Sequence, residues 1–94
     1  MLDNGVYNEL EVREKLSNLK NWNLISGALQ KDFLFKNFNQ ALAFIVQIGL
    51  LAEQADHHPE IINVYNKVQL RLNTHSVNGI TQQDVDLAFE IERL

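Results

Sequence analysis

The chain has 94 residues and a formal net charge of −4, with no cysteine, one proline and three histidines. This length predicts a single domain over residues 1–94, and 46% hydrophobic with 21% charged residues is typical of a folded globular protein. The lack of cysteine excludes a disulfide framework, a thiolate metal site and a thiol nucleophile. It is compatible with a reducing, cytoplasmic location.

The excess negative charge lies in the second half of the chain. Residues 48–94 carry seven acidic and three basic side chains, whereas residues 1–47 carry five of each. No cluster of Lys and Arg is interleaved with aromatic residues, so direct binding of nucleic acid is not expected. The N-terminal residues lack the basic and apolar regions of a signal peptide. The most apolar stretch, residues 41–52, is shorter than the roughly 20 residues that span a bilayer, so we interpret it as a core helix.

The first half of the chain predicts a helix, two strands and a second helix. The first helix covers about residues 8–20. Its apolar stripe consists of Leu10, Val12, Leu16 and Leu19. Two strands over residues 22–24 and 29–35 form a predicted hairpin. The second helix is predicted to begin at the N-cap Asn39 and to end near residue 57, because Pro59 disfavours helical geometry in the residue before it.

The second half predicts two more strands, over residues 61–65 and 68–74, whose register the pattern leaves open. A two-residue turn pairing Tyr65 with Val68 sets Ile62 opposite Arg71, whereas a three-residue loop sets Ile62 opposite Leu70. On either alternative the second of these strands has one apolar face and one polar face. The apolar face consists of Val68, Leu70 and Leu72. Residues 76–79 are predicted to form a loop.

The last helix has the clearest start signal in the chain. Thr81 is the predicted N-cap, Asp84 at position N3 completes a capping box, and Ile80 is predicted to pack against Val85. The resulting element order is α-β-β-α-β-β-α. This order favours an α+β fold, in which a four-stranded antiparallel sheet is packed by helices.

Two adjacent histidines mark the predicted end of the second helix. Glu53 lies four residues before His57, so its carboxylate is predicted to reach that imidazole if the last helical turn persists. The partial negative charge of a helix C-terminus also favours the imidazolium form of His57. Both effects suit His57 to general acid catalysis. A solvated, polar helix end is the simpler interpretation of the same pattern.

The third histidine, His75, is predicted to end the polar face of the fourth strand. Three histidines can bind zinc, but adjacent residues rarely direct both rings at one ion, and no H-x-H or H-x3-H spacing is present. A metal site is therefore not expected. A Ser-His-Asp order and a Gly-rich phosphate loop are also absent from the sequence. The chemistry that remains is proton transfer by imidazoles and carboxylates.

The spacing of these residues resembles a known signature. Glu53-x3-His57-His58-Pro59-x5-Tyr65-x9-His75-x8-Asp84 is similar to the pattern of the pterin-4a-carbinolamine dehydratase family. The strings HHPEIINVYNKV, THS and GITQQDVDLA also resemble that family. Upstream the resemblance is looser, with Trp22 and FKNFNQALAFI at similar positions. It covers nearly the whole chain.

The resemblance implies a hydro-lyase that dehydrates 4a-hydroxytetrahydropterin to quinonoid dihydropterin. Such an enzyme recycles the pterin cofactor of aromatic amino-acid hydroxylases, and it needs no metal or organic cofactor. Separately, so small a domain leaves a sheet edge or the apolar helix to cover, which favours a homodimer or homotetramer. Animal members of the family also act as dimerisation cofactors for a homeodomain transcription factor, so a protein-interaction module is an alternative. A second alternative is a related protein that acts on a different pterin.

The resemblance also implies roles for individual residues. His57 and His75 are the predicted proton-transfer groups, and His58 is predicted to bind and orient the pterin, with an exchange of these roles left open. Glu53 is predicted to polarise His57 or to meet a pterin nitrogen.

Five further residues are weaker candidates. Asn73 and Thr74 are predicted to contact the pterin ring. Trp22 is predicted to form a wall of the pocket, although an ordinary sheet aromatic explains it equally well. Asp84 and Asp56 are assigned first to structure, as a capping residue and a helix-end residue, and second to the site.

Overall fold

The computed structural model describes residues 5–94, and it confirms the predicted element order. The elements are α1 (Glu9–Leu16), β1 (Asn23–Ile25), β2 (Ala28–Leu34), α2 (Phe38–Ala55), β3 (Glu60–Val64), β4 (Lys67–Leu72), the 3-10 turn η1 (His75–Val77) and α3 (Gln82–Glu92). The expectation about a signal peptide falls partly on residues 1–4, which lie outside the described residues. Within the described part of the chain, no helix is both long enough and apolar enough to cross a membrane.

The four strands form one antiparallel sheet in the order β1-β2-β4-β3, which confirms the α+β class. Side chains alternate between the two faces of a strand, and the apolar face of β4 lies in the core as predicted. Its core residues are Val68, Leu70 and Leu72. Buried side chains of all three α-helices join the same cluster, among them Val12, Ile48 and Val85. The helices therefore cover one face of the sheet.

Helix α2 begins two residues earlier than the sequence predicted. Its N-cap is Asn37 and not Asn39, because Asn37 has extended backbone dihedrals and its Oδ1 accepts a hydrogen bond from the Gln40 amide at 2.9 Å. Asp56 caps the other end in the left-handed conformation, with φ 49° and ψ 43°. The Asp56 amide donates to carbonyl groups of the last turn. The helix thus stops at Ala55, before Pro59 is reached.

Helix α1 is shorter than predicted, because it stops at Leu16 rather than near residue 20. The Ser17 hydroxyl donates to the Glu14 carbonyl at 2.7 Å, and this bond caps the last turn. Leu10, predicted in the buried stripe, is exposed, whereas Val12 and Leu19 are buried. Residues 76–79 were predicted to form a loop, but the first two of them belong to the 3-10 turn η1.

The register between β3 and β4 differs from both alternatives that the sequence left open. Ile62 pairs with Gln69, and Val64 pairs with Lys67. The connecting turn has two residues, Tyr65 and Asn66, and Tyr65 adopts a positive φ of 52°. The Asn63 side chain donates to the carbonyl groups of Tyr65 and Lys67, at 3.1 and 2.8 Å, and so fixes this tight turn.

Helix α3 begins as the sequence predicted. Thr81 is the N-cap, and Asp84 accepts a hydrogen bond from the Thr81 amide at 2.9 Å to complete the capping box. The side chains of Val85 and Ala88 are buried, as are those of Leu87 and Ile91. This helix therefore presents a broad apolar face to the core, and its first turn lies beside the chain that follows β4.

Candidate active site

The candidate site lies where β3 begins and β4 ends. Paired strands fix which residues face each other, and the observed pairing sets Glu60 opposite Arg71. Continuing the same register past the strand ends places His58 opposite Asn73 and His57 opposite Thr74. The fold thus brings the adjacent histidines to the chain segment that leads into His75.

His57 is held by Asp84 at the start of α3. Its Nε2 lies 2.5 Å from Oδ1 of Asp84, whose side chain is 0% exposed, and the imidazole itself is only 10% exposed. The contact joins residues 27 positions apart and therefore depends on the tertiary fold. The sequence assigned Asp84 first to the helix cap and second to the site. In the structure one oxygen serves the cap and the other contacts the histidine.

The second carboxylate oxygen of Asp84 accepts two hydrogen bonds. The Thr81 amide donates at 2.9 Å, and the Thr74 hydroxyl donates at 2.8 Å. Thr74 is buried, and its hydroxyl links Asp84 to the chain that follows β4. Burial of a carboxylate is costly unless its oxygens are paired, and here two donors and the His57 ring surround the group. The resulting cluster, His57–Asp84–Thr74–Thr81, is called the Asp84 network below.

His58 forms a separate pair with Glu53. Its Nε2 contacts Oε1 of Glu53, and both side chains are largely in solvent, at 55% and 78% exposure. The sequence predicted that Glu53 would reach His57, and this prediction was wrong. The left-handed Asp56 ends the helical geometry, so the spacing of four residues no longer places Glu53 beside His57.

His75 lines a polar pocket of about 220 Å³. The pocket, called the strand-end pocket below, is lined by Ser26, Gly27, Ala28, Glu60, Arg71, Asn73, His75 and Asn78. Two predicted site residues, His75 and Asn73, therefore share one opening. The Asn73 amide donates to the Gly27 carbonyl at 2.7 Å, which fixes its side chain against the β1–β2 turn.

His57 lines a different opening, a groove of about 240 Å³ between α2 and α3. Its other lining residues are Leu51, Gln54, Ala55, Gln83, Asp86, Leu87 and Glu90. The groove mixes an apolar floor with acidic and amide side chains, and it gives the ring of His57 access to solvent.

Trp22 and Asp56 are not brought to these openings. Trp22 is buried in the core, with its ring edge against Phe33, and it borders a different cavity beside α1. Its indole Nε1 is a buried donor without a partner among the described residues. Asp56 acts through its backbone, as the C-cap of α2. Across residues 5–94, no three His, Asp or Glu side chains group in a way that could hold a metal ion.

Glu60 and Arg71 are pocket residues that the sequence analysis missed. Arg71 Nε lies 3.2 Å from the Glu60 carboxylate, and its Nη1 donates to Gln30 Oε1 at 2.6 Å. Neither of the two predicted registers sets Glu60 opposite Arg71, so neither predicted this cross-strand ion pair. An opposite-charge pair at facing positions is a usable signal only when the register is known.

Fold and site together define a small α+β domain whose groups suited to chemistry are imidazoles paired with carboxylates. Comparison with known proteins is consistent with that class. The family model described as Pterin 4 alpha carbinolamine dehydratase matches residues 6–94. The chain belongs to this family.

Individual relatives extend the comparison. A Drosophila melanogaster pterin-4-alpha-carbinolamine dehydratase is 46% identical over 89 residues, covering 90% of this chain and 46% of the relative, so the chain spans about half of that protein. A Sulfurisphaera tokodaii relative with the same family name is 41% identical over 86 residues and 92% of each chain. A crystal structure from Brucella melitensis, described as a transcriptional coactivator/pterin dehydratase, has a TM-score of 0.89 and 39% identity. It covers 94% of this chain and 96% of the solved one.

Proposed function

We propose that this protein dehydrates 4a-hydroxytetrahydropterin to quinonoid dihydropterin and so recycles the pterin cofactor of aromatic amino-acid hydroxylases. Family membership supports the reaction class. The observation that carries the assignment to particular residues is the contact between His57 and the buried Asp84, which ties that imidazole to Thr74, the neighbour of His75.

The reaction requires one proton to be removed and one to be supplied. A base takes the proton from N5, the electron pair left on N5 forms the C4a=N5 double bond, and the C4a hydroxyl leaves with a proton from an acid as water. Two positioned imidazoles meet both needs, and positioned acid–base groups typically contribute about 10²–10⁴-fold in rate. No metal or organic cofactor is part of this scheme.

We assign the two proton transfers to His57 and His75. The Asp84 network joins His57 to Thr74, so both imidazoles belong to the same end of the sheet, and we place the pterin there. Asn73 in the strand-end pocket supplies a polar contact for the ring. His58, exposed and paired with Glu53, is assigned to binding and orientation of the pterin.

Replacement of single histidines tests this proposal. His57→Ala and His75→Ala should each lower kcat for the pterin 4a-carbinolamine by about 10²-fold or more, with circular dichroism unchanged. His58→Ala is the matched comparison, since it removes the same ring from an exposed position and should act mainly on KM. Full activity of the His57→Ala, His75→Ala double variant would contradict the proposal, and a screen of other pterin carbinolamines would then test the related substrates.

We also propose that the protein is a homodimer or homotetramer in the cytoplasm. Four apolar side chains of α2, spaced four residues apart, are 42–67% exposed. This α2 stripe consists of Phe38, Leu42, Val46 and Leu50. An exposed row of this kind is typical of a surface that packs against another chain. The absence of cysteine is compatible with the proposed compartment, and cell fractionation would test it.

Light scattering coupled to size-exclusion chromatography tests the association. The wild-type mass should be twice or four times the chain mass of 10.8 kDa. Val46→Glu should reduce it to the mass of the monomer. Gln47→Glu introduces the same charge at the next exposed position of the helix and should leave the mass unchanged. A wild-type monomer would contradict self-association and would favour the interaction-module alternative, in which the stripe binds a different protein.

A further inference from the structure

We infer that Asp84 is a positioning residue that holds neutral His57 in the tautomer with its proton on Nε2, so that Nδ1 exchanges the proton with the substrate. The assignment of the tautomer comes from the geometry of the Asp84 network. Its catalytic consequence rests on the proposed function.

With Asp84 ionised, the directions of the hydrogen bonds in the network fix the tautomer. An ionised carboxylate only accepts hydrogen bonds, and the Thr81 amide can only donate. The Thr74 hydroxyl donates its single hydrogen to Asp84, so the contact of 2.8 Å between the two threonine hydroxyls must be a donation from Thr81 to Thr74. These bonds are consistent with a carboxylate that accepts at both oxygens. Nε2 of His57, 2.5 Å from Oδ1, is then the donor.

The other nitrogen of the ring is left for chemistry. Nδ1 of His57 has no hydrogen-bond partner among residues 5–94. In that part of the chain, the one side-chain nitrogen or oxygen that is both buried and without a partner is Trp22 Nε1. Because Nδ1 of His57 lacks a partner but is not among such buried atoms, it reaches solvent. Neutral His57 presents a lone pair at Nδ1, and protonated His57 presents an N–H there. In both states Nε2 stays bonded to Asp84, so only Nδ1 gains or loses the proton.

The substitution Asp84→Asn should reverse this arrangement. The amide oxygen would accept from the Thr81 amide and the Thr74 hydroxyl, since both donate. The amide NH₂ would then face Nε2 of His57, which would have to become an acceptor and move the proton to Nδ1. The reactive position would thus carry a proton in the neutral state, and a base could no longer act from it.

Nitrogen-15 NMR measures the tautomer without any substrate. In the wild type, at a pH where the ring is neutral, the His57 signals should show Nε2 protonated and Nδ1 bare, with His57→Gln identifying them by their loss. In Asp84→Asn the proton should instead lie on Nδ1, with Nε2 unprotonated. The kcat should fall by about 10²-fold or more, with a smaller change in KM. Asp32→Asn removes the same charge from an exposed carboxylate bound to Gln69, and it should change neither readout.

The outcomes separate this inference from the proposed function. A wild-type ring protonated on Nδ1 would overturn the inference without any variant, as would Asp84→Asn with exchanged nitrogens but an unchanged kcat. The predicted tautomer in a wild type that lacks dehydratase activity would support the positioning and contradict the function. If Asp84→Asn does not fold, Thr74→Val provides the second test, because it removes one donor to Oδ2. It should keep the tautomer while lowering kcat less than loss of His57 does.

Discussion

The carboxylate of Glu53 contacts Nε2 of His58, five residues along the chain, and not His57, four residues along. The left-handed Asp56 ends helix α2 before both histidines, and the two adjacent rings then meet different partners. His57 enters the interior to meet Asp84, and His58 stays in solvent. The neighbouring histidines therefore lie in different environments, one 10% and the other 55% exposed.

The Glu53–His58 pair should contribute little to stability, because both side chains are exposed and an exposed ion pair is screened by water and salt. We expect a coupling free energy below about 1 kcal/mol from a double-mutant cycle of Glu53→Ala and His58→Ala in urea unfolding. Addition of 1 M NaCl should reduce the coupling further. A large coupling that persists in salt would show that the pair is not screened.

Arg71 connects three parts of the sheet. Its guanidinium donates to the carbonyl groups of Ile25 and Ser26, at 3.2 and 3.3 Å, in addition to its contacts with Gln30 and Glu60. A lysine cannot make these divergent contacts at once. Arg71→Lys should lower the free energy of unfolding by roughly 1–2 kcal/mol.

Arg93→Lys is the control for this substitution, because Arg93 is exposed and, among residues 5–94, its side chain bonds Glu90 alone. Its effect should stay within about 0.5 kcal/mol. Equal effects of the two substitutions would mean that the contacts of Arg71 add no net stability.

Two glycines should respond in opposite directions to the same substitution. A Cβ at Gly79 would lie 2.7 Å from Cγ1 of Val6, whereas a Cβ at Gly49 in α2 would meet no atom of the described residues within 4 Å. Gly79→Ala should therefore destabilise the protein by about 1–3 kcal/mol through overpacking. Gly49→Ala should stabilise it by about 0.5–1 kcal/mol through helix propensity.

Thermal unfolding of the two variants measures both effects. Adding Val6→Ala to Gly79→Ala should recover part of the loss, because it removes the clashing methyl groups. If Val6→Ala makes the loss larger, the clash is not its cause.

Two leucines of the sheet provide a test of where the core lies. Leu70 is 0% exposed and Leu34 is 72% exposed. Leu70→Ala should cost about 2–5 kcal/mol, because it removes buried methyl groups and leaves a cavity. Leu34→Ala should cost less than about 0.5 kcal/mol in the monomer. Chemical denaturation at low protein concentration measures both, and a similar loss at Leu34 would indicate that its side chain is covered in solution.

Local signals predicted much of the fold. The Thr81 capping box and the alternation of β4 depend on residues close in sequence, and both are confirmed. Both predicted registers of β3 against β4 were wrong, because the register depends on the conformation of the connecting turn. Tyr65 adopts a positive φ that favours glycine or asparagine, and the sequence offered no sign of it.

The candidate residues could be named from the sequence, but their contacts could not. His57 meets Asp84 across 27 residues of chain, and such a contact follows from the packing of α3 rather than from any spacing. The helical rule that paired Glu53 with His57 failed because the helix had already ended. The roles of the three histidines stay predictions until the variants are measured.

The two-residue turn between β3 and β4 determines more than the shape of a surface hairpin. Exposed turns usually accept inserted residues, since little depends on their exact length. Here one extra residue in the Tyr65–Asn66 turn that moved the pairing by one position would put Thr74 opposite His58 instead of His57. The turn lies about 25 Å from those residues at the usual rise per strand residue. On the proposed function, we expect the length of this turn to be constrained and variation in loop length to occur elsewhere in the chain.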